Sequence, residues 1–237
     1  MRLAIISGGS KGLGHALCTT CKQRGFEIVE FSRSAPHRFS VKVDFADPAI
    51  AVCCISDALK AFSCRMWKEI LVFNNAGTIV PSGPVSQKEP KDVICNLNVN
   101  FTSGILFLSE VIAQFGQHDC KKTVVNISSG AVENVRSGWS LYCATKAGMA
   151  KFIHTVAVEQ KRAVHPFTLL NINPGVMDTA MQSAIRELKE DDFPDVALFR
   201  RRKECGELHS PQEAASEIIR VVENYRLESG SDINLTF

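Results

Sequence analysis

Tyr142 and Lys146 are four positions apart, a spacing at which two side chains could act together on a proton. In a helix such residues share one face, so the lysine ammonium can stabilise a phenolate. Tyrosine ionises near pH ~10, and acid–base work near neutrality therefore requires roughly 4 kcal/mol of differential stabilisation. Because Tyr-x-x-x-Lys pairs are also common on ordinary helix surfaces, the pair needs a second observation before it indicates an active site.

Ser129 provides that observation, since it lies thirteen residues before Tyr142 and directly after a predicted strand over residues 123–128. Open parallel sheets bind ligands at the carboxyl ends of their strands. Two other predicted strands end in the sequences N-N-A-G at 74–77 and N-P-G at 173–175. We expect these segments to meet at one edge of the sheet.

A glycine-rich loop, S-G-G-S-K-G-L-G at 7–14, follows the first predicted strand and opens the first predicted helix. Glycines at such a turn let the backbone approach a pyrophosphate, which then lies at the positive end of the helix. The G-x-x-x-G-x-G spacing differs from the common G-x-G-x-x-G, and many glycine-rich loops are only turns. The strand–loop–helix context favours dinucleotide binding.

Short β-branched runs alternate with longer helical segments, a pattern typical of a parallel sheet with helices on both faces. Strands are predicted over residues 3–7, 27–31, 39–43, 70–74, 123–128, 168–172 and 232–236. Helices are predicted over residues 12–24, 48–63, 91–115, 139–159, 178–188 and 211–224. No repeat or linker interrupts the pattern, so residues 1–237 are predicted to form one domain.

Composition excludes several classes of protein. The 237 residues include 27 Lys and Arg against 25 Asp and Glu, with 45% hydrophobic and 22% charged residues, which excludes a disordered or fibrous chain. The balanced charge provides no basic surface for nucleic acid or an anionic membrane. The apolar runs at 70–73 and 104–108 are too short to span a bilayer, and no signal peptide is visible. We expect a soluble cytoplasmic protein.

The nine cysteines argue for reduced thiols, because their number is odd and no secretory signal is visible. Cys18 and Cys21 form a C-x-x-C within a predicted helix, where redox and metal roles must be considered. No second cysteine pair or histidine cluster completes a metal site, so we expect both to be core residues. The same interpretation is given to Cys53 and Cys54, and no metal is predicted.

The sequence resembles the short-chain dehydrogenase/reductase superfamily over essentially its whole length. The matching pieces are the 7–14 loop, Asp44 after the third strand, N-N-A-G at 74–77, Asn100, Ser129, Tyr142-x-x-x-Lys146 and P-G-V-M-D-T at 174–179. The resemblance implies an α/β fold, a single doubly wound Rossmann-type domain with a seven-stranded parallel sheet.

The resemblance also implies catalytic roles. Tyr142 would protonate the carbonyl oxygen during reduction, and Ser129 would hydrogen-bond and position that oxygen. Lys146 would hold the nicotinamide ribose and lower the pKa of Tyr142. Asn100 would hold a water that links Lys146 to solvent. Asn96 and Asn98 compete for this last role, with helix packing as their alternative, but the small residues at 102–104 favour Asn100.

A nicotinamide dinucleotide is the cofactor that the resemblance implies. The residues expected to bind it are Gly8, Ser10, Lys11, Gly12, Leu13 and Gly14 at the pyrophosphate, Asp44 at the adenine, Asn75, Ala76 and Gly77 on the adenosine side, and Tyr142, Lys146, Pro174, Gly175, Val176 and Thr179 at the nicotinamide end.

The end of the second strand bears on the choice between NADP and NAD. NAD-binding relatives place an acid there, whereas this chain has Ser32 followed by Arg33. Arg33 and Lys11 could both reach a 2′-phosphate, and solvated surface is their alternative interpretation. Glu30 is expected to lie deeper on the strand. The sequence therefore favours NADPH and the direction of reduction.

Within the superfamily, the chain resembles the benzil reductase and sepiapterin reductase branch most at residues 74–81, 126–148 and 174–182. This branch reduces one carbonyl of a vicinal dicarbonyl compound. Sepiapterin reductases anchor the pterin with a C-terminal Asp, where this chain has Asn234, which argues against a pterin. Trp139 and Phe193 could line an apolar pocket for aryl diketones, or be core or interface residues.

Three further expectations concern the surroundings of the site. Residues 180–210 are predicted to contain a substrate flap, and the breaker-rich stretch 189–209 is either mobile or a solvated face. A homodimer through the helices at 91–115 and 139–159 is the family expectation. The alternatives to a diketone reductase are a reductase of thioesters, sugars or steroids, and a non-catalytic NADPH sensor, which would need a broken catalytic set.

Overall fold

Seven parallel strands form one sheet in the order β3-β2-β1-β4-β5-β6-β7. The computed structural model describes residues 1–224 and 227–237. The strands are β1 Arg2–Ser7, β2 Phe26–Ser32, β3 Ser40–Lys42, β4 Glu69–Asn74, β5 Lys121–Ile127, β6 Thr168–Asn173 and β7 Ser231–Asn234. The α-helices are α1 Gly12–Gln23, α2 Pro48–Ser63, α3 Pro90–Leu97, α4 Ser103–Phe115, α5 Ser140–Gln160, α6 Ala180–Arg186, α7 Val196–Glu204 and α8 Pro211–Asn224. The predicted fold class, a doubly wound α/β sheet, is confirmed.

The order of the strands reverses direction at β1, which pairs with β2 on one side and with β4 on the other. In such a sheet the loops on either side of the reversal run to opposite faces and leave a crevice at the carboxyl ends of the strands. Ser7 and Asn74 are register partners at this point. The glycine loop and the N-N-A-G turn therefore begin side by side.

Both faces of the sheet are buried, which explains why its strands are nearly continuous apolar runs. On one face Leu3 and Ile5 pack with Phe107 of α4 and Ile153 of α5. On the other face Ala4 and Ile6 pack with residues of α1 and α8. The sheet thus holds α1 and α5, which border the crevice, on opposite faces.

The helix predicted over residues 91–115 is interrupted, and this prediction was wrong as a single element. A π turn at Asn98–Thr102 separates α3 from α4, with Ser103 N bonding Asn98 O. Inserted π turns of this kind occur often at functional sites. The Asn98 amide donates to Ala46 O at 3.0 Å, so a side-chain bond to another loop holds the widened turn.

The stretch 189–209 is not the loop that its breakers and charges suggested. It contains α7, whose Val196 and Phe199 are buried while its arginines face outward. Two apolar residues three positions apart are too weak a pattern to predict a helix, because four consecutive cations follow them at 200–203. Residues 180–210 therefore contain two helices, α6 and α7, that are anchored by a few buried side chains, and the mobility of this stretch and the homodimer stay predictions.

The cysteine predictions have mixed outcomes. Cys18 and Cys21 are buried in the core, as predicted, and burial raises the pKa of each thiol to about 12. Cys53 was wrongly predicted, because it lies on the exposed face of α2. Within residues 1–224 and 227–237 no helix is long and apolar enough to cross a membrane.

Candidate active site

Tyr142 and Lys146 lie in the first two turns of α5, and both face the carboxyl end of β5. The Lys146 Nζ donates to Ile127 O at 2.8 Å and lies 5.8 Å from the centre of the Tyr142 ring. Burial lowers the pKa of Lys146 to about 8. The ammonium group is thus held beside the phenol by the last residue of the neighbouring strand.

Ser129 follows β5 in an extended conformation and caps a 3₁₀ turn, where its Oγ accepts a hydrogen bond from Ala131 N at 3.2 Å. Tyr142 is only 9% exposed. Burial raises the pKa of Tyr142, and hydrogen bonding with Ser129 offsets only part of that rise. The pKa of Tyr142 is thus raised by burial and not lowered by Lys146 as the resemblance implied. The phenol is protonated at neutral pH in this structure, which is the form that a proton donor requires.

Asn100 lies in the π turn and is tied to the loop after β4. Its Oδ1 accepts from Thr78 N at 2.7 Å, and its Nδ2 donates to Thr78 O at 2.8 Å. A Cβ added to Gly77 would lie 3.4 Å from this Oδ1 and 3.9 Å from Lys146 Nζ. The missing side chain of Gly77 thus leaves a gap between Asn100 and Lys146.

The competing asparagines have other partners. Asn96 is fully buried, accepts from Asn100 Nδ2 at 3.1 Å and donates to Val80 O at 2.8 Å. Asn98 bonds Ala46 O, as described above. Both amides therefore pack the π turn against loops, in agreement with the alternative considered for them, while the relay role of Asn100 stays a prediction.

The glycine loop is shaped by close backbone approach. A Cβ on Gly14 would lie 2.0 Å from Gly8 O, and a Cβ on Gly8, whose φ is +73°, would lie 2.8 Å from the Ala76 Cα. The Asn75 amide donates to both Ser7 O and Gly8 O, at 3.1 and 2.9 Å. No side chain caps the N-terminus of α1, so its first N–H groups face the loop, where an anion is stabilised.

The segment after β6 forms the opposite wall of the crevice. Thr179 caps α6, with its Oγ1 accepting from Gln182 N at 3.3 Å. Its methyl group lies 3.5 Å from where a Cβ of Gly12 would stand. Pro174, Gly175 and Val176 lead to this cap, and Val176 O accepts from His209 N at 3.1 Å. The glycine loop and the residues predicted for the nicotinamide end therefore lie close together at Gly12 and Thr179.

The adenosine side of the crevice is open. Arg33 and Lys11 are both exposed, and Asp44 is exposed with its Oδ1 accepting from Ala46 N at 3.0 Å. Glu30 is fully buried, as expected, and accepts from Gly9 N at 2.9 Å and from the Ser40 hydroxyl. Its carboxylate therefore joins the glycine loop to Ser40 at the start of β3.

The predicted substrate residues Trp139 and Phe193 belong to a compact group next to Tyr142. The two rings stack with centroids 4.7 Å apart, and Phe193 is completely buried. We call this group the Trp139 cluster; its buried members are Ile79, Ala131, Trp139, Tyr142, Ile185, Phe193, Val196 and Phe199. It brings the loops after β4 and β5 together with α6 and α7.

Asn234 lies apart from that cluster. It is exposed at the end of β7, where its Oδ1 accepts from Asn173 Nδ2 at 2.9 Å. The nearby Asp232 is bonded to His154 and Asn171, at 2.9 and 2.8 Å. No contact among the described residues supports a substrate role for Asn234, and that role therefore stays a prediction.

Several contacts at the rim of the site could not be predicted from the sequence. Arg136 pairs with Asp195, and Lys88 lies 3.7 Å from Asp192. A Cβ on Gly138 would lie 2.1 Å from Asp192 O. These pairs join segments more than 50 residues apart, so no local signal could have revealed them.

The chain matches known proteins over most of its length. A family model described as short chain dehydrogenase matches residues 2–190. The benzil reductase ((S)-benzoin forming) of Bacillus subtilis (strain 168) is 32% identical over 228 residues, covering 94% of each chain. The sepiapterin reductase of Bos taurus is 32% identical over 174 residues, covering 70% of this chain and 62% of that protein. The KRED1-Pglu enzyme aligns with a TM-score of 0.83 at 22% identity, covering 98% of this chain and 100% of that one, a likeness of fold.

Proposed function

Because the chain belongs to the short-chain dehydrogenase family, we propose that it is an NADPH-dependent carbonyl reductase. Its substrate is a vicinal diketone, of which it reduces one carbonyl, and Tyr142 is the proton donor. The observation that carries this proposal is the neutral, buried Tyr142 between Ser129 and Lys146.

Ser129, Tyr142 and Lys146 have different roles in the reduction of the carbonyl group. Ser129 hydrogen-bonds the oxygen and positions it, while Tyr142 delivers the proton as negative charge develops there. Lys146, held by Ile127 O, places a cation next to the resulting phenolate and so lowers the cost of proton transfer. General acid catalysis of this kind contributes roughly 10²–10⁴-fold to the rate.

The glycine loop suits a dinucleotide, since Gly8 and Gly14 let its backbone fold tightly against itself and Ala76, and the N-terminus of α1 has no side-chain cap. Gly8, Gly12 and Gly14 would hold the pyrophosphate, and Val176 and Thr179 would hold the carboxamide end. A bound NADPH supplies the hydride.

Preference for NADPH over NADH rests on charge. Arg33 and Lys11 are exposed at the adenosine side, and the nearest strand acid, Glu30, is occupied by Gly9 N and Ser40. A 2′-phosphate would therefore meet two cations, while the exposed carboxylate of Asp44 is assigned to the adenine, and the arginine can bind the phosphate with a planar fork.

Two observations favour an aryl diketone as substrate. The relative from Bacillus subtilis is named a benzil reductase, and its match spans nearly the whole of both chains. The Trp139 cluster places the indole of Trp139 edge-on against Tyr142, with two phenylalanine rings packed behind the indole. A pterin is disfavoured, because Asn234 bonds Asn173 and the Asp232 carboxylate is taken up by His154 and Asn171.

The test is oxidation of NADPH, followed by its near-ultraviolet absorbance, with benzil, a short vicinal diketone, sepiapterin and an acetoacetyl thioester. NADH is run in parallel. We expect fast turnover of the diketones with NADPH. Turnover of sepiapterin or the thioester alone would overturn the substrate class, and tight NADPH binding without any turnover would indicate a sensor.

A further inference from the structure

Trp139 carries a buried indole N–H that has no acceptor. Its side chain is only 6% exposed, and its Nε1 has no hydrogen-bond partner within the described part of the chain. The other buried side-chain polar atom without a partner there is an acceptor, Gln114 Oε1. An unpaired buried donor costs about 1–3 kcal/mol, so a protein that retains one needs a reason for it.

The surroundings explain why the protein cannot satisfy this N–H. The indole stacks on Phe193 and meets the rings of Phe199 and Tyr142 edge-on, each with centroids 5.4 Å away. The other buried members of the Trp139 cluster are aliphatic. No described residue supplies an acceptor for this N–H, so the bond is left for a water or a bound molecule to make.

The indole ring of Trp139 lies next to the phenol of Tyr142, with ring centroids 5.4 Å apart. Trp139 is three residues before Tyr142, and its carbonyl accepts the Cys143 N–H at 2.8 Å as α5 begins. The two side chains therefore start from the same turn of α5 and contact each other edge-on. An oxygen that bonds Trp139 would therefore belong to a group next to the carbonyl that Tyr142 protonates.

We propose that Trp139 Nε1–H donates to a second oxygen of the substrate, on the carbon adjacent to the reacting carbonyl. The proposal rests on the function proposed above and narrows its substrate class to vicinal dicarbonyl compounds and α-oxygenated ketones. Tyr142 and Ser129 hold the oxygen that is reduced, and Trp139 holds its neighbour. A simple ketone leaves the indole N–H unpaired in the closed site.

The size of the effect follows from the cost of that unpaired donor. About 1–3 kcal/mol corresponds to roughly 5- to 150-fold in kcat/KM between substrates with and without the second oxygen. Sites built to bond a polar group of the substrate discriminate in this way against analogues that lack it.

The kinetic experiment compares benzil with deoxybenzoin, which has the same two phenyl rings and a methylene in place of one carbonyl. Trp139→Phe keeps an aromatic ring and removes the N–H. Benzil is intrinsically more electrophilic than deoxybenzoin, so the two substrates differ in rate whatever Trp139 does. The quantity measured is therefore the ratio of kcat/KM for benzil to kcat/KM for deoxybenzoin, and how it changes on substitution. We expect that ratio to fall about tenfold or more in Trp139→Phe.

Trp67→Phe is the matched control, since the Nε1 of Trp67 already donates to Phe62 O at 2.8 Å. This variant should leave the ratio unchanged. Equal losses for benzil and deoxybenzoin in Trp139→Phe would mean that the indole only packs, and would overturn the inference. Failure of the unmodified protein to reduce either ketone would instead defeat the proposed function.

A second measurement needs no substitution in the site. The chain has two tryptophans, so protein labelled with ¹⁵N-tryptophan gives two indole N–H signals, which Trp67→Phe assigns. In the presence of NADP⁺, benzil should shift the Trp139 signal downfield and leave the Trp67 signal in place, whereas deoxybenzoin should not produce that shift. A Trp139 signal that moves equally with both bound ketones would refute the hydrogen bond.

Discussion

The two ends of the crevice differ in how far they are organised before any ligand arrives. At the catalytic end, Tyr142, Lys146 and Asn100 are held by bonds to backbone or neighbouring side chains within the fold. At the adenosine end, Lys11 and Arg33 are exposed, and in the part of the chain that the structure describes neither forms an ion pair. Under the proposed function, the groups for proton transfer are preorganised, whereas selection of the cofactor falls to solvated cations.

This difference has a physical reason. Charge that develops during a reaction is stabilised best by groups that need no reorganisation at that moment, and burial provides such groups. A phosphate that arrives from water is attracted by flexible, exposed cations. The distance over which they attract it becomes shorter as the salt concentration rises. Substitutions at the two ends should therefore change different quantities.

Tyr142→Phe should produce the largest effect. The ring and its packing in the Trp139 cluster remain, but the proton donor is lost, so kcat for diketone reduction should fall roughly 10²–10⁴-fold. The dissociation constant of NADPH, measured by fluorescence titration, should stay within twofold. Turnover above a tenth of the normal rate would contradict the assignment of Tyr142.

The pH profile should show the next largest effect. Burial lowers the pKa of Lys146 to about 8, so the ammonium is present below that pH and is lost as the pH rises through it. We expect kcat/KM for NADPH to fall about tenfold for each pH unit above about 8. Lys146→Arg keeps its charge in this range, and its profile should lack the descent near pH 8 even if its rate is lower. A descent that persists in this variant would assign the pKa to another group.

Arg33→Ala tests the open end of the crevice. Loss of a bidentate partner for the 2′-phosphate should weaken NADPH binding about tenfold and leave NADH binding unchanged. Arg38→Ala is the control, because Arg38 lies on the same loop but lines a groove over the first half of β2 with Lys22 and Phe26. Equal losses for both cofactors in Arg33→Ala would contradict the phosphate role.

The contrast between the two ends also explains what the sequence could predict. Strands and most helices follow from short-range periodicity, and the convergence of Ser129, Tyr142 and the 74–77 turn follows from where parallel strands end. The buried position of Glu30 was foreseen from its place on β2. These features depend on local pattern and on a topology that the pattern specifies.

The features that the sequence did not reveal depend on long-range contacts. The π turn is held by bonds from Asn98 and Asn100 to loops more than 20 residues away. The burial of Phe193 depends on how α7 folds back over Trp139, and the pairing of Arg136 with Asp195 joins separate segments. Periodicity contains no information on such partners, so neither the unpaired indole N–H nor the packing of α7 could be predicted.

Asn75→Ala should give the smallest effect and the sharpest test of the comparison. The resemblance places Asn75 on the adenosine side, but its amide cross-links Ser7 O and Gly8 O beneath the glycine loop. Because each lost hydrogen bond costs about 1 kcal/mol, we expect NADPH and NADH to bind roughly fivefold more weakly alike. The cofactor-free protein should also melt a few degrees lower, a change that Arg33→Ala should not show. Weaker binding with an unchanged melting temperature would mean that Asn75 contacts the cofactor directly and that the loop is organised by its glycines alone.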